Sequence, residues 1–336
     1  MIYNIALDAM GGDNGPVEMI KGAIESLEQI KNIKILLVGK EDVINAELKK
    51  YTYDKNLIEV VNATEVIATE EGAMAIKKKK DSSIVVGLNL LKDGNAGCFV
   101  SAGSTGALLT GATLKLKRLP GVSRPALATL LPTGNSKGFS LLMDCGANAD
   151  CKPNYLVEFA HLGSVYVEHM LGIKNPKVGL VNIGAEDDKG NALTKETFPL
   201  LKETNLNFVG NIESRYIPSG EVDVAVCDGF TGNIVLKTTE GYAKFIFDTL
   251  KKELTSSLLS KLGAVLSTSA FKNIKKTFDY SEVGGAPFLG LTSLVVKTHG
   301  SANSKDVVGA IRQSFNFLDK DILKKMEESN NGIRQS

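Results

Sequence analysis

The residues able to do chemistry sit in short polar clusters, each placed where an apolar run stops. Asp8-Ala-Met-Gly11-Gly12-Asp13 follows Ile2 to Leu7, and Ser101-Ala-Gly103-Ser104-Thr105-Gly106 follows Gly97 to Val100. Asp144-Cys-Gly-Ala-Asn148 follows Phe139 to Met143, Asn182-Ile-Gly184 follows Pro176 to Val181, and Asp228-Gly229-Phe-Thr231-Gly232-Asn233 follows Val222 to Val226. The sixth, Thr298-His299-Gly300-Ser301, closes Leu294 to Lys297. Glycines let backbone N–H groups approach an anion, and a helix starting there adds the positive end of its dipole. Hydroxyls beside such a turn suit a phosphate or a developing oxyanion. The plainer readings are a tight connection for the first cluster and a helix cap for the second. Asp144 and Asp228 are candidates to position a proton or a cation. His299 is the one histidine in a cluster and a candidate acid. His161 and His169 fall mid-helix and are expected at the surface.

Several chemistries lack their signatures. No cluster contains Gly-x-Gly-x-x-Gly or Gly-x-x-x-x-Gly-Lys-Ser/Thr, which argues against the usual dinucleotide and nucleotide enzymes. No Gly-x-Ser-x-Gly elbow occurs, which argues against a serine hydrolase. The four cysteines form no Cys-x-x-Cys pair and accompany only three histidines, so neither zinc nor another metal is expected. A net charge of +1 spread over 336 residues gives no electrostatic footprint for nucleic acid.

Strand, polar cluster and helix recur along the chain. That alternation predicts a single α/β domain over residues 1–336, with a mostly parallel sheet and helices on both faces. Ligands of such sheets sit beyond the carboxyl ends of the strands. Six clusters at such ends therefore predict one shared cleft. Glu70 to Lys80 has helical spacing and ends in Lys77, Lys78, Lys79 and Lys80, by default a solvated helix end.

Residues 240–280 form an excursion with its own pattern. From Leu254 to Phe278 every fourth residue is apolar, and six lysines face one acid, Glu253, between Lys251 and Lys276. Gly263 and the surrounding serines predict a break, hence a helical hairpin for subunit contact with a membrane-touching tip. No apolar run reaches the ~18 residues of a membrane span, and no secretory signal is visible. The expected location is cytoplasmic.

Together these clusters resemble the bacterial phosphate acyltransferases of phospholipid synthesis, the PlsX family. The resemblance rests on Asp8-Ala-Met-Gly-Gly-Asp13, Lys79-Lys80-Asp81-Ser82-Ser83, Ser101-Ala-Gly-Ser-Thr-Gly106, Arg124-Pro125-Ala126, Asp144-Cys-Gly-Ala-Asn148 and Asp228-Gly-Phe-Thr-Gly-Asn233. It implies transfer of a fatty acyl group from acyl carrier protein to inorganic phosphate, with the acyl phosphate passed to a membrane glycerol-phosphate acyltransferase. It also implies a homodimer, no cofactor, and a fold shared with phosphate acetyltransferases and isopropylmalate dehydrogenases.

The resemblance carries no catalytic assignment; the chemistry of the reaction assigns the roles. Gly11, Gly12, Ser104, Thr105 and Gly106 are expected to bind phosphate, with Asp8, Asp13, Ser101, Gly103, Asp144, Asn148, Asn182 and Gly229 completing the substrate cleft. Thr231, Gly232 and Asn233 face the oxyanion, Asp228 assists, and His299 donates to the leaving thiolate. Lys77 to Lys80, Lys272, Lys275 and Lys276 would dock the acidic carrier. Two rivals are an acetyl- or butyryl-coenzyme A:phosphate transferase and a non-catalytic membrane scaffold that binds acyl carrier protein. An isopropylmalate-type dehydrogenase would need metal-binding aspartates and a nicotinamide pocket, and neither is visible.

Overall fold

The first apolar run folds as strand β1 (Tyr3–Asp8), whose last four residues are buried. Burial on both faces marks the interior of a parallel sheet. β1 pairs in parallel with β2 (Ile33–Gly39) and β4 (Cys98–Ser101), and β3 (Ile58–Asn62) extends the sheet beyond β2. β11 (Leu294–Lys297) returns from the far end of the chain to lie parallel to β4, with Lys297 opposite Ser101. The computed structural model describes residues 2–277 and 284–335.

The sheet then changes direction. β10 (Ala286–Leu289) is antiparallel to β11 and to β5 (Ala126–Pro132), and β5 is antiparallel to β6 (Phe139–Met143). β9 (Val224–Val226), β7 (Val178–Asn182) and β8 (Phe208–Glu213) continue parallel to β6. The result is one sheet of eleven strands, ordered β3-β2-β1-β4-β11-β10-β5-β6-β9-β7-β8. Strands β1 to β5 and β11 point one way; β6 to β10 point the other. β8 and β10 carry no clear strand signal in the sequence. The first has a glycine at its centre, and the second is four residues long with a proline.

Each face of the sheet carries its own core. Over one face lie α1 (Val17–Gln29), α6 (Pro153–Leu171), α7 (Ala192–Lys202) and α11 (Ser304–Asp319), with α12 (Ile322–Gln335) against α6. Over the other lie α3 (Ala75–Lys78), α4 (Ser83–Lys92), α5 (Thr105–Lys115) and the base of α8 (Gly229–Leu254). α2 (Glu41–Leu48) packs beside β3. Alternate β1 residues serve the two cores: Ile5 and Leu7 one, Ala6 the other. The mostly parallel α/β architecture read from the sequence is the architecture observed.

Three local expectations need correction. Glu70 to Lys80 is helical only over Ala75–Lys78, because Glu71 accepts from Ala68 N and from Lys79 Nζ and draws the segment into turns. His161 is not a surface residue: its Nε2 is buried with no hydrogen-bond partner among the described residues, and burial pushes its pKa down to about 4. The break in the excursion falls at the expected serines but not at Gly263, which lies inside α9 (Leu258–Leu266). It falls at Thr255–Ser257, where Ser257 accepts from Ser260 N and caps α9, and again at Ser267 before α10 (Thr268–Thr277). Phe278, the last member of the apolar stripe, lies outside the described residues.

Candidate active site

Three of the six clusters meet at one end of the sheet, beyond β1, β4 and β11. Asp8 is buried and accepts from Ser101 Oγ at 2.7 Å and Met10 N at 3.1 Å. Ser101 Oγ in turn accepts from Gly103 N at 3.0 Å. Burial drives the Asp8 carboxyl pKa up, against the pull of these donors. Asp8 and Ser101 thus brace two loops rather than face a ligand.

The glycines allow the loops to touch. A Cβ on Gly11 would lie 2.7 Å from Gly103 N, and one on Gly12 would lie 2.6 Å from Gly300 O. Gly12 also has φ +80°, open to glycine at little cost. Asp13 N donates to Gly300 O at 2.7 Å, which ties the first loop to the last cluster.

Beside this junction α5 begins. Ser104 is its N-cap, accepting from Ala107 N, and the N–H groups of Thr105 and Gly106 follow. First-turn N–H groups have no carbonyl partner within their helix. His299 is exposed, and its Nδ1 accepts from Ser301 N at 3.2 Å, with Ser301 Oγ at 2.8 Å. A backbone N–H only donates, so neutral His299 carries its proton on Nε2. Lys297 is half-buried behind this rim. Its Nζ donates to Ala102 O at 3.0 Å and to Thr298 O. Burial pushes its pKa down to about 8, Asp8 and Asp13 pull it up, and Lys237 of α8 pushes it further down. Sequence reading missed Lys297; its signal was a lysine on the last residue of a buried strand.

The other three clusters are elsewhere. β6, β9 and β7 run against β1, so Asp144, Asp228 and Asn182 lie beyond the opposite end of the sheet. β1 and β6 are five strands apart in the order. At about 4.8 Å per strand, that alone separates Asp8 and Asp144 by on the order of 20 Å. The expectation of one shared cleft is therefore corrected: six corners form two groups of three.

The second group is a structural knot. Asp144 is buried and accepts from the backbone N–H groups of Leu127, Gly146, Ala147 and Asn148. Asn148 Nδ2 bridges Asp144 and Pro125 O, and Gly229 N donates to Asn148 O. Asp228 caps α8, accepting from Thr231 N and Thr231 Oγ1. Gly232 N donates to Asp228 O. Those N–H groups are spent within the turn, so Thr231 and Gly232 have none to offer an oxyanion beside Ser104. Asn233 shares their end of the molecule, with its side chain beside Gly146. Asn182 folds its own loop, Oδ1 accepting from Ile183 N and Nδ2 donating to Lys189 O. Near this end lies an open concavity of about 650 Å³ lined by Thr113, Arg118, Ser123, Arg124 and Tyr155.

The docking lysines divide as well. Lys79 pairs with Glu71 at 2.6 Å and donates to Val66 O, so it is structural. Lys77, Lys78, Lys80 and Lys272 are exposed. Lys275 and Lys276 lie on α10, with side chains outside the described residues.

Fold and site together define an α/β protein whose candidate site is a corner built from strand ends and a helix start. The fold is that of phosphotransacetylases: the Streptococcus pyogenes enzyme superposes with a TM-score of 0.63 at 18% identity, covering 94% of this chain and 93% of that one. EutD phosphotransacetylase from Staphylococcus aureus gives 0.59 at 18% identity, covering 94% of each chain. The chain belongs to the family described as fatty acid synthesis protein, whose model matches residues 3–325. It is 50% identical over 324 residues to the phosphate acyltransferase of Clostridium novyi (strain NT), covering 96% of this chain and 97% of that protein. The phosphate acyltransferase of Clostridium acetobutylicum is 50% identical over 323 residues, with the same coverage. The chain is an acyltransferase.

Proposed function

We propose that this acyltransferase moves a fatty acyl group from acyl carrier protein to inorganic phosphate, forming acyl phosphate for phospholipid synthesis. The observation that carries the reading is the corner where the Gly12 loop, the head of α5 and the His299 loop lock together. Relatives at half identity over nearly the whole chain are named phosphate acyltransferases.

The reaction asks little base chemistry of the protein. Hydrogen phosphate dianion attacks the thioester carbonyl carbon, a C–O bond forms, the C–S bond breaks, and the phosphate proton ends on the departing thiol. The protein must hold the nucleophile beside the ester and stabilise the oxyanion. In this reading Gly11, Gly12, Ser104, Thr105 and Gly106 hold phosphate, and the Nε2–H of His299 donates to the leaving sulfur. Asp8 and Ser101 position those loops.

The acidic carrier docks through Lys77, Lys78 and Lys80. The apolar side chains of α8, α9 and α10 serve a homodimer and a membrane-touching tip, from which the product passes to a membrane glycerol-phosphate acyltransferase. Tyr242, Phe245, Leu258, Leu259, Leu262 and Leu266 are all exposed on that excursion. No helix among the described residues is long and apolar enough to cross a membrane.

The second reading, a coenzyme A thioester as acyl donor, is favoured only by the phosphotransacetylase fold. The test is to incubate the protein with labelled phosphate and, in parallel, acyl carrier thioester, palmitoyl-coenzyme A and acetyl-coenzyme A. Acyl phosphate is expected at the highest kcat/KM from the carrier. Turnover from acetyl-coenzyme A alone overturns the fatty-acyl reading, and no acyl phosphate from any donor overturns both.

A further inference from the structure

We propose that Lys297 is the cation that grips the nucleophilic phosphate, its ammonium donating to a phosphate oxygen held between the Gly12 loop and the head of α5. The proposal rests on the phosphate-acceptor reading above and deepens it.

Lys297 ends β11 in parallel register with Ser101, so its side chain leaves the sheet where the three loops converge. An ammonium has three N–H donors. Two are committed, to Ala102 O and Thr298 O, which fixes the group at the rim and leaves the third uncommitted among the described residues. Ala102 lies between Ser101 and Gly103, on the loop that leads into α5. The cation is therefore pinned to the loop whose next residues open that helix. Carbonyl anchoring also means that a bound anion need not break an existing ion pair to be held.

Charge supplies the second observation. Lys237, on α8 from the other half of the sheet, is near enough to Lys297 for the two to repel. Lys237 is partnered by Glu240 at 2.8 Å; Lys297 makes no ion pair among the described residues. Two cations brought to one edge, one of them half-buried, are stabilised when an anion arrives between them. A phosphate dianion meets that need, and the Gly12 and α5 backbone supplies further donors.

The groups facing Lys297 set its pH behaviour. They are Asp8 from β1, Asp13 from the loop before α1, and Lys237 from α8. With the ammonium's pKa near 8, the charged form is lost as pH rises through that value. Phosphate is already a dianion there. Binding to the free enzyme should therefore weaken as pH rises past about 8.

The test measures inorganic phosphate binding without an acyl donor, by ³¹P line broadening from pH 6.5 to 9.5, alongside steady-state KM values for phosphate and donor. Lys297→Met is expected to weaken phosphate binding about 10- to 100-fold, the effect of removing a charge-assisted hydrogen bond. Its donor KM should stay within about twofold, since the loss falls on the other substrate. Lys297→Arg keeps a permanent charge and is expected to abolish the alkaline loss while retaining part of the affinity. Phosphate binding by Lys297→Met equal to wild type overturns the proposal, as does a parallel rise in both KM values. Should Lys297→Met fail to fold, the wild-type titration decides: affinity flat from pH 7 to 9.5 overturns the assignment. Lys297-dependent phosphate binding in a protein that makes no acyl phosphate supports this proposal while refuting the function above.

Discussion

Asp144 and Asp8 are both buried carboxylates at strand ends, and each spends its oxygens on loop donors. For Asp144 the donors are four backbone N–H groups and one side-chain amide. Asp144→Ala would strand several of them at once. A buried donor left unpaired costs about 1–3 kcal/mol, and water entering the gap recovers part of the sum. Urea unfolding should show a loss of about 3–5 kcal/mol, with phosphate KM unchanged in the folded protein. An altered phosphate KM at unchanged stability would return Asp144 to the active site. These residues show how far site chemistry is legible in sequence. Asp8, Asp144 and Asp228 have the right type and place for catalysis, and only their hydrogen bonds reveal braces and a cap. Lys297, unremarkable in sequence, is both perturbed by burial and pinned to two loop carbonyls.

At the scale of elements, the corner depends on how tightly helices hold its loops. α1 leaves the Gly12 loop, and α11 leaves the His299 loop through a capping box at Asn303 and Asp306. The two helices pack through Gly22, where a Cβ would meet Val307 Cβ at 2.5 Å and Ser304 O at 2.8 Å. Gly22→Ala therefore forces them apart at the point that sets the spacing of both loops. Overpacking of this kind costs about 1–3 kcal/mol. Thermal unfolding should register that loss, and phosphate KM should rise with it because the Asp13–Gly300 bond is strained. A Gly22→Ala protein of wild-type stability would show that the helices part freely. The helices themselves were largely readable, since their apolar spacing is regular. The segment at Glu70 was not, because an ion pair across eight residues leaves no periodic trace.

For the whole molecule, the excursion formed by the outer part of α8, α9 and α10 stands apart from both cores. Leu258, Leu259 and Leu262 are 86%, 79% and 58% exposed. Changing all three to Ser should leave chemical stability within about 0.5 kcal/mol per site, the usual range for surface positions. Turnover with soluble donor should also persist. Sedimentation with anionic vesicles, measured in parallel, is expected to be lost. Unchanged sedimentation would remove this tip as the membrane contact.

By itself the sequence determined most of the elements, their alternation and the family, because apolar period and glycine turns are local properties of a chain. It also held one clue that the cluster pattern obscures: the link from Pro132 to Phe139 is too short for a parallel crossover, which takes about a dozen residues. β5 and β6 must therefore oppose each other, and every strand parallel to β6 must point away from the Asp8 end. The rest was decided by the tertiary structure alone. β11 inserts beside β4 and β10 pairs with β5, pairings made between residues 161 to 196 positions apart that no local pattern records. Those pairings bring His299 and Lys297 to Gly12 and Ser104, and carry Asp144 and Asp228 to the far end of the sheet.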